Sequence, residues 1–349
     1  MVELSGKTLM QSFLERVAER GQQVALREKD FGIWQTVTWN QYRSHVEHFA
    51  LGLVHLGFKR GDHLSIISEN CCEWLYASLG CIGLGGVPLG VYPTSPYPEV
   101  HYVVKHSDSA FVVCEDQEQT DKVLEVLQDL PKLEKIIVKD MKGLRNYPRD
   151  NIISFKAVEV LGRELAQEQP DLFKREVQKG RVEDVCMMIY TSGTTGLPKG
   201  AMVNHRNIEA TTRATAAALE ADETDSVVSY LPLCHVAEQI FSLYLPIHLG
   251  ITVNFAESVA TIQSDLREIA PTVLKALSLK TRWETSVNKQ ELYDFITKRM
   301  HEVALSRKIP ALILCIPYTI EGADPPQELV LAVERYTNVH LLEGNRIVS

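Results

Sequence analysis

No uninterrupted apolar stretch approaches the roughly 20 residues that a membrane-spanning helix needs. The N-terminal Met-Val-Glu-Leu-Ser-Gly-Lys lacks the apolar core of a signal peptide, and the C-terminal Arg-Ile-Val-Ser is not a peroxisomal address. There is no internal repeat and no low-complexity tract. The seven cysteines, Cys71, Cys72, Cys81, Cys114, Cys186, Cys234 and Cys315, form no C-x-x-C pair, and several sit inside apolar runs. Buried, reduced thiols are therefore expected rather than disulfides or zinc ligands. His45 and His48 do not make an H-E-x-x-H motif and are expected as surface or packing residues of an amphipathic helix. Positive charge is also short: Lys+Arg number 36 against Asp+Glu 45, a net charge of -9. A surface of that sign repels a phosphodiester backbone, which excludes nucleic acid as the expected partner. It does not exclude a single nucleotide, whose charge one loop and a metal ion handle locally. A soluble, cytoplasmic protein, able to touch a membrane surface peripherally, is the expectation.

What is present is an ordinary globular composition over 349 residues, 45% hydrophobic and 23% charged, enough for two or three domains. Helical spacing marks residues 8–20, with Leu9, Phe13, Val17 and Ala18 on one face. A second helix carries Tyr42, Val46, Phe49, Ala50, Leu53 and Leu56, with Gly57 placed to end it in the left-handed conformation. Extended structure is expected at 36–39, 63–67, 87–92, 111–114 and 136–138. Helices are expected at 73–84, 98–106, 122–127 and 154–168, and a surface loop at 140–151. This alternation predicts an α/β protein with a mostly parallel sheet. The strands lack clean period-two alternation, as when helices cover both faces of a sheet. In the last part of the chain, 291–303 and 325–336 read as helices, and 311–316 and 339–342 as strands.

The apolar run Val185 to Tyr190 suits a buried strand. Directly after it comes Thr191-Ser192-Gly193-Thr194-Thr195-Gly196-Leu197-Pro198-Lys199-Gly200. Glycines let backbone N–H groups turn toward an anion. Serine and threonine hydroxyls add donors, one of which can ligate magnesium, and lysine supplies a mobile positive charge. The chemistry implied is capture of the β- and γ-phosphates of ATP. A Walker A loop is excluded, because Lys199 is followed by Gly200 and an apparent strand, 201–203, rather than by Ser or Thr opening a helix. Asn204 is placed to cap a helix beginning at His205.

Tyr190 to Gly200 resembles the signature loop of the adenylate-forming superfamily, which includes acyl-CoA synthetases, luciferases and peptide-synthetase adenylation domains. Ala201 to Asn207 fits its continuation, and Tyr230-Leu231-Pro232-Leu233-Cys234-His235 resembles a second core motif. Gly85 to Tyr92 and Asn70-Cys71-Cys72-Glu73-Trp74 resemble further family segments. Within the superfamily the likeness is to bacterial long-chain fatty acid:CoA ligases and bubblegum-type relatives, and covers residues 1 to about 274. It implies an α/β fold, the N-terminal large domain of the adenylate-forming type, with stacked, mostly parallel sheets and covering helices. It implies ATP, Mg2+ and CoA as cofactor and co-substrates, with a fatty acid as the other substrate. Thr191, Ser192, Gly193, Thr194, Thr195, Gly196 and Lys199 would bind the nucleotide, Thr194 would touch the metal, and His235 would line the acyl site. Lys199 and His235 would be the catalytic pair. Without the resemblance, His235 reads as a core histidine.

The resemblance fades after Pro271-Thr272-Val273-Leu274. Arg282-Trp283-Glu284 only faintly matches the expected V-P-R-x-W-E, and no Y-G-x-T-E or T-G-D segment follows; Tyr318-Thr319-Ile320-Glu321 is no substitute for the former. The expected organisation is a first α/β subdomain over 1–180, the phosphate-loop and acyl-site part over 181–274, and a divergent α/β tail over 275–349. The domain is expected to be truncated and to lack the family's small C-terminal domain. The polypeptide by itself is expected to form acyl-CoA poorly, as a ligase incomplete in this chain or as a nucleotide- or acyl-binding fragment of one.

Overall fold

The computed structural model describes residues 4–147, 150–191, 197–219, 221–258 and 261–271, and the backbone of short segments at 313–314, 340–343 and 346–348. The chain opens with helix α1 (Leu9–Arg20), hairpin β1 (Val24–Asp30) and β2 (Ile33–Thr38), and helix α2 (Trp39–His55). Both helices start on a reciprocal cap. The Thr8 hydroxyl accepts from the Gln11 amide while the Gln11 side chain accepts from the Thr8 amide, and Thr38 and Gln41 repeat the arrangement. Gly57, at φ 99°, turns the chain beyond α2.

Strand and helix then alternate: β3 (His63–Ile67), α3 (Cys72–Gly83), β4 (Val87–Val91), α4 (Tyr97–His106), β5 (Ser109–Cys114), α5 (Gln117–Leu124), β6 (Lys135–Val138) and β7 (Ile152–Ser154). Helices α6 (Phe155–Glu168) and α7 (Leu172–Gln178) lead to β8 (Val185–Thr191), β9 (Lys199–Asn204) and α8 (His205–Leu219). Last come β10 (Ser226–Ser229), α9 (Val236–Gln239), a π turn at Ile240–Tyr244, α10 (Leu245–Leu249), β11 (Thr252–Phe255) and α11 (Ile262–Ile269).

The large sheet has seven strands in the order β7-β6-β5-β3-β4-β8-β9, and a second sheet has four, β10-β11-β1-β2. In the large sheet every pairing is parallel except β8 with β9. Its strands are apolar on both faces. Leu64, Ile66, Phe111, Val113 and Ile137 join α1, α2, α3 and the second sheet's Leu26, Val227, Val253 and Phe255 in one core. Ile67, Val112, Cys114, Ile136 and Val138 face the other way, onto Val100, Val103 and Val104 of α4 and Val123 of α5. This two-sided burial is why the sequence shows continuous apolar runs. Helices α2 and α6 cross closely, because a Cβ on Gly52 would stand 2.1 Å from the Val158 carbonyl oxygen and one on Gly162 1.7 Å from that of His48.

The connections reverse at β3 and β4. Helix α3 covers one face and α4 the other, so the crevice beyond the carboxyl ends of these strands is where an open α/β sheet accepts ligands. Residues of 1–180 and 181–274 share both sheets, since β8 pairs with β4 and β11 with β1.

Several elements depart from the sequence reading. Extended structure begins at Ile33, and Trp39, expected in the strand, opens α2 because Thr38 caps it. The expected loop at 140–151 is followed by the short edge strand β7 before the helix, and α7, a helix the sequence reading did not expect, is anchored by buried Phe173 and Val177. The helix expected at 122–127 starts at Gln117, where the Asp116 side chain caps it. The six cysteines among the described residues are buried, and none of them is in a disulfide; Cys315 lies outside them. His45 packs on the surface of α2, 2.6 Å from Glu159 and stacked on Tyr76. In the last part of the chain β12 (Ile313–Leu314) pairs with β13 (His340–Glu343) and β13 with β14 (Arg346–Val348), overlapping the two expected strands. The expected helices at 291–303 and 325–336 lie outside the described residues. No described helix is long and apolar enough to cross a membrane.

Candidate active site

Strand β8 runs into the candidate phosphate loop and β9 runs back out antiparallel, with Thr191 opposite Lys199 as the last pair. Lys199 thus opens a strand, which agrees with the sequence reading and contradicts a P-loop, where a helix would begin. Asn204 ends β9 and its side chain accepts from the Asn207 amide at 2.9 Å, capping α8 as expected. Ser192, Gly193, Thr194, Thr195 and Gly196 lie outside the described residues; only the backbone of Thr191 is described. Leu197 is 66% exposed and Lys199 is exposed beyond it.

Beside the hairpin lies a cleft of about 410 Å³, lined among others by Tyr92, Glu99, Tyr190, Pro198, Cys234 and His235. That volume falls within the range of small-molecule sites. The two sequence motifs therefore meet here: Tyr190 and Pro198 from the loop's flanks, His235 from the second motif. Lys199 follows Pro198 directly but is not among the cleft-lining residues. Burial pushes the phenols of Tyr92 and Tyr190 up to about 12, with Cys234 adding to the first and Tyr102 to the second. Both remain neutral hydrogen-bonding groups near neutral pH.

The second motif is held by a residue quoted only for its family likeness. At the carboxyl end of β3, the Asn70 amide nitrogen donates to Ser229 Oγ at 2.9 Å and to the Leu231 carbonyl at 2.6 Å, and its oxygen accepts from the Leu233 amide at 2.9 Å. A buried chain secures the far side: Tyr244 Oη donates to Gln239 Oε1 at 2.6 Å, and Gln239 Nε2 donates to the Leu233 carbonyl at 2.9 Å. Gly90 lets β4 approach this segment, since a Cβ there would stand 2.5 Å from Cys234 Cα. His235 itself is exposed and caps α9, its Nδ1 accepting from the Ala237 amide at 3.2 Å. An accepting Nδ1 carries no proton, so the neutral ring bears its proton on Nε2. Among the described residues no three His, Cys, Asp or Glu side chains group as a metal site; Thr194, the expected metal contact, lies outside them.

A parallel sheet with helices on both faces, a strand–loop–strand hairpin at its carboxyl edge and a histidine-bearing segment across the cleft define the class, and the chain belongs to the AMP-binding enzyme family, whose profile matches residues 13–338. That match runs past the segments that carry the resemblance in the sequence, which stop near residue 274. The chain is 33% identical over 291 residues to the long-chain-fatty-acid–CoA ligase ACSBG2 of Xenopus laevis, covering 81% of this chain and 38% of that protein. It is 29% identical over 345 residues to the long-chain-fatty-acid–CoA ligase ACSBG1 of Bos taurus, covering 94% and 46%. The chain thus spans less than half the length of these relatives. Among solved structures, the anthranilate CoA ligase AuaEII in complex with anthranoyl-AMP superposes with a TM-score of 0.71 at 18% identity, over 98% of this chain and 60% of that one. A long-chain-fatty-acid-CoA ligase of Archaeoglobus fulgidus gives 0.70 at 15% identity, over 98% and 64%. At such identities the likeness is one of fold.

Proposed function

We propose that this chain carries the phosphate-binding and acyl-binding side of an AMP-forming fatty acid:CoA ligase acting on a long-chain fatty acid. The observation that carries the reading is the convergence of Tyr190, Pro198 and His235 on one cleft at the carboxyl edge of the large sheet. The ligase names of the relatives support the substrate class. In the first step a carboxylate oxygen attacks the α-phosphorus of ATP, the α–β bridging bond breaks, and pyrophosphate leaves. In the second the CoA thiolate attacks the acyl carbon, a C–S bond forms, and AMP leaves.

The loop from Thr191 to Gly196 supplies backbone and hydroxyl donors to the pyrophosphate portion, and Lys199 neutralises its growing charge. The Nε2–H of His235 donates to the carboxylate, holding one oxygen while the other attacks. Mg2+, entering with ATP, would share the phosphate charge, with Thr194 as its contact. In this division 1–180 is the first α/β subdomain and contributes Tyr92 and Glu99 to the cleft wall, 181–274 brings the phosphate loop and His235, and 275–349 follows as a tail of unassigned role. The protein acts in the cytoplasm on soluble or membrane-presented fatty acid.

A second reading, nucleotide or acyl binding without turnover, draws on Lys199 not being among the residues that line the cleft. ATP–pyrophosphate exchange with and without palmitate separates the two. The first reading expects exchange that needs the fatty acid and is lost in Lys199→Ala and His235→Ala. The second expects Mg-ATP binding with no exchange. Neither binding nor exchange would contradict both.

A further inference from the structure

Helix α4 touches both ends of the candidate phosphate loop. Tyr102 and His106 are four residues apart and so lie on one face of the helix. Tyr102 Oη donates to the Pro198 carbonyl at 2.9 Å, and His106 Nδ1 stands 2.7 Å from Tyr190 Oη. The Tyr102 and His106 rings stack at 5.3 Å and 25°, and His106 meets Tyr190 edge-on at 5.7 Å and 83°. Tyr190 is the residue before the last of β8 and Pro198 the residue before β9. Pro198 has no N–H, so its carbonyl is its sole backbone hydrogen-bonding group. Among the described residues strand β9 is the edge of the large sheet and pairs there with β8. The last pair that the sheet supplies is Thr191 with Lys199, so Pro198, just before it, takes its hold from α4 rather than from the ladder. One turn earlier on α4, Glu99 and Val103 line the cleft, so one rigid helix carries part of the cleft wall and holds the loop's ends.

We propose that Tyr102 and His106 are positioning residues: they hold Tyr190 and Pro198 against α4 and thereby set how Lys199, the next residue, approaches a bound phosphate. The inference rests on the nucleotide reading above for its ligand, but its geometry stands on its own.

Mg-pyrophosphate titrated by calorimetry into wild type, Tyr102→Phe, His106→Leu and His106→Asn tests it, with thermal unfolding to confirm that each is folded. Tyr102→Phe removes only the hydroxyl. It and His106→Leu are each expected to weaken binding by about 3- to 10-fold, the worth of one hydrogen bond. His106→Asn, whose amide reproduces the Nδ1 position, is expected to restore binding to within about twofold. A merely structural ring contact would not be rescued by asparagine. Unchanged affinity in folded Tyr102→Phe and His106→Leu, or no rescue by asparagine, overturns the proposal. Amide exchange at Lys199 and Gly200 reads the same contacts without ligand. Faster exchange there in both weakened variants, with Met187 and Ile189 unchanged, supports the clamp; unchanged exchange overturns it. If wild type binds no pyrophosphate, the nucleotide reading falls while the exchange result still decides the clamp.

Discussion

Burial at single residues has consequences that can be measured. His205 opens α8 and is 5% exposed, and its Nδ1 accepts from the Leu9 amide at 3.1 Å, tying the start of α1 to the start of α8. Burial, opposed by the charge of Asp184, lowers its pKa from 6.5 to about 4. Between these two values the unfolded chain binds the proton and the folded chain does not, so this contribution to stability is present above pH 6.5 and is lost as the pH falls toward 4. The loss is on the order of 3 kcal/mol. Urea unfolding of wild type and His205→Gln at several pH values between 7 and 4 is expected to show wild type losing more stability by that order. A difference between the two that does not change with pH would contradict the assignment.

Among the elements, the segment from β10 to α9 depends on contacts far along the chain. Asn70 anchors it with hydrogen bonds at 2.9, 2.6 and 2.9 Å. Replacing Asn70 by alanine leaves partly buried partners unsatisfied and is expected to cost about 2 kcal/mol of stability. Asn70→Asp should be worse near neutral pH, because a carboxylate oxygen would face the Leu231 carbonyl. Equal stability of wild type and Asn70→Ala in urea would show that the segment is held by other means. The strand–helix alternation and the β8–loop–β9 hairpin were legible because apolar runs and small-residue loops are local signals. So was the cap at Asn204. The role of Asn70 was not, although a polar Ser-Glu-Asn run directly after a buried strand could have pointed to the carboxyl edge of the sheet. Strand β1 escaped because its place depends on pairing across more than two hundred residues, Leu26 opposite Val253, and β10 and β11 escaped because they are only four residues each. Tyr102 and His106 read as ordinary helix residues until the fold brings β8 and β9 against α4.

At the scale of the whole molecule, the two motifs become one site because the sheet reverses its winding between β3 and β4, opening a crevice at its carboxyl edge. On the proposed function this crevice takes the phosphates of ATP and Lys199 serves them. Calorimetric titration of Mg-ATP into wild type and Lys199→Ala tests it most directly. Saturable binding by wild type is expected, weakened by one to two orders of magnitude in the folded variant, about 1.5–3 kcal/mol for a charge-assisted contact. Equal affinity of the two proteins, or no binding by wild type, would contradict it.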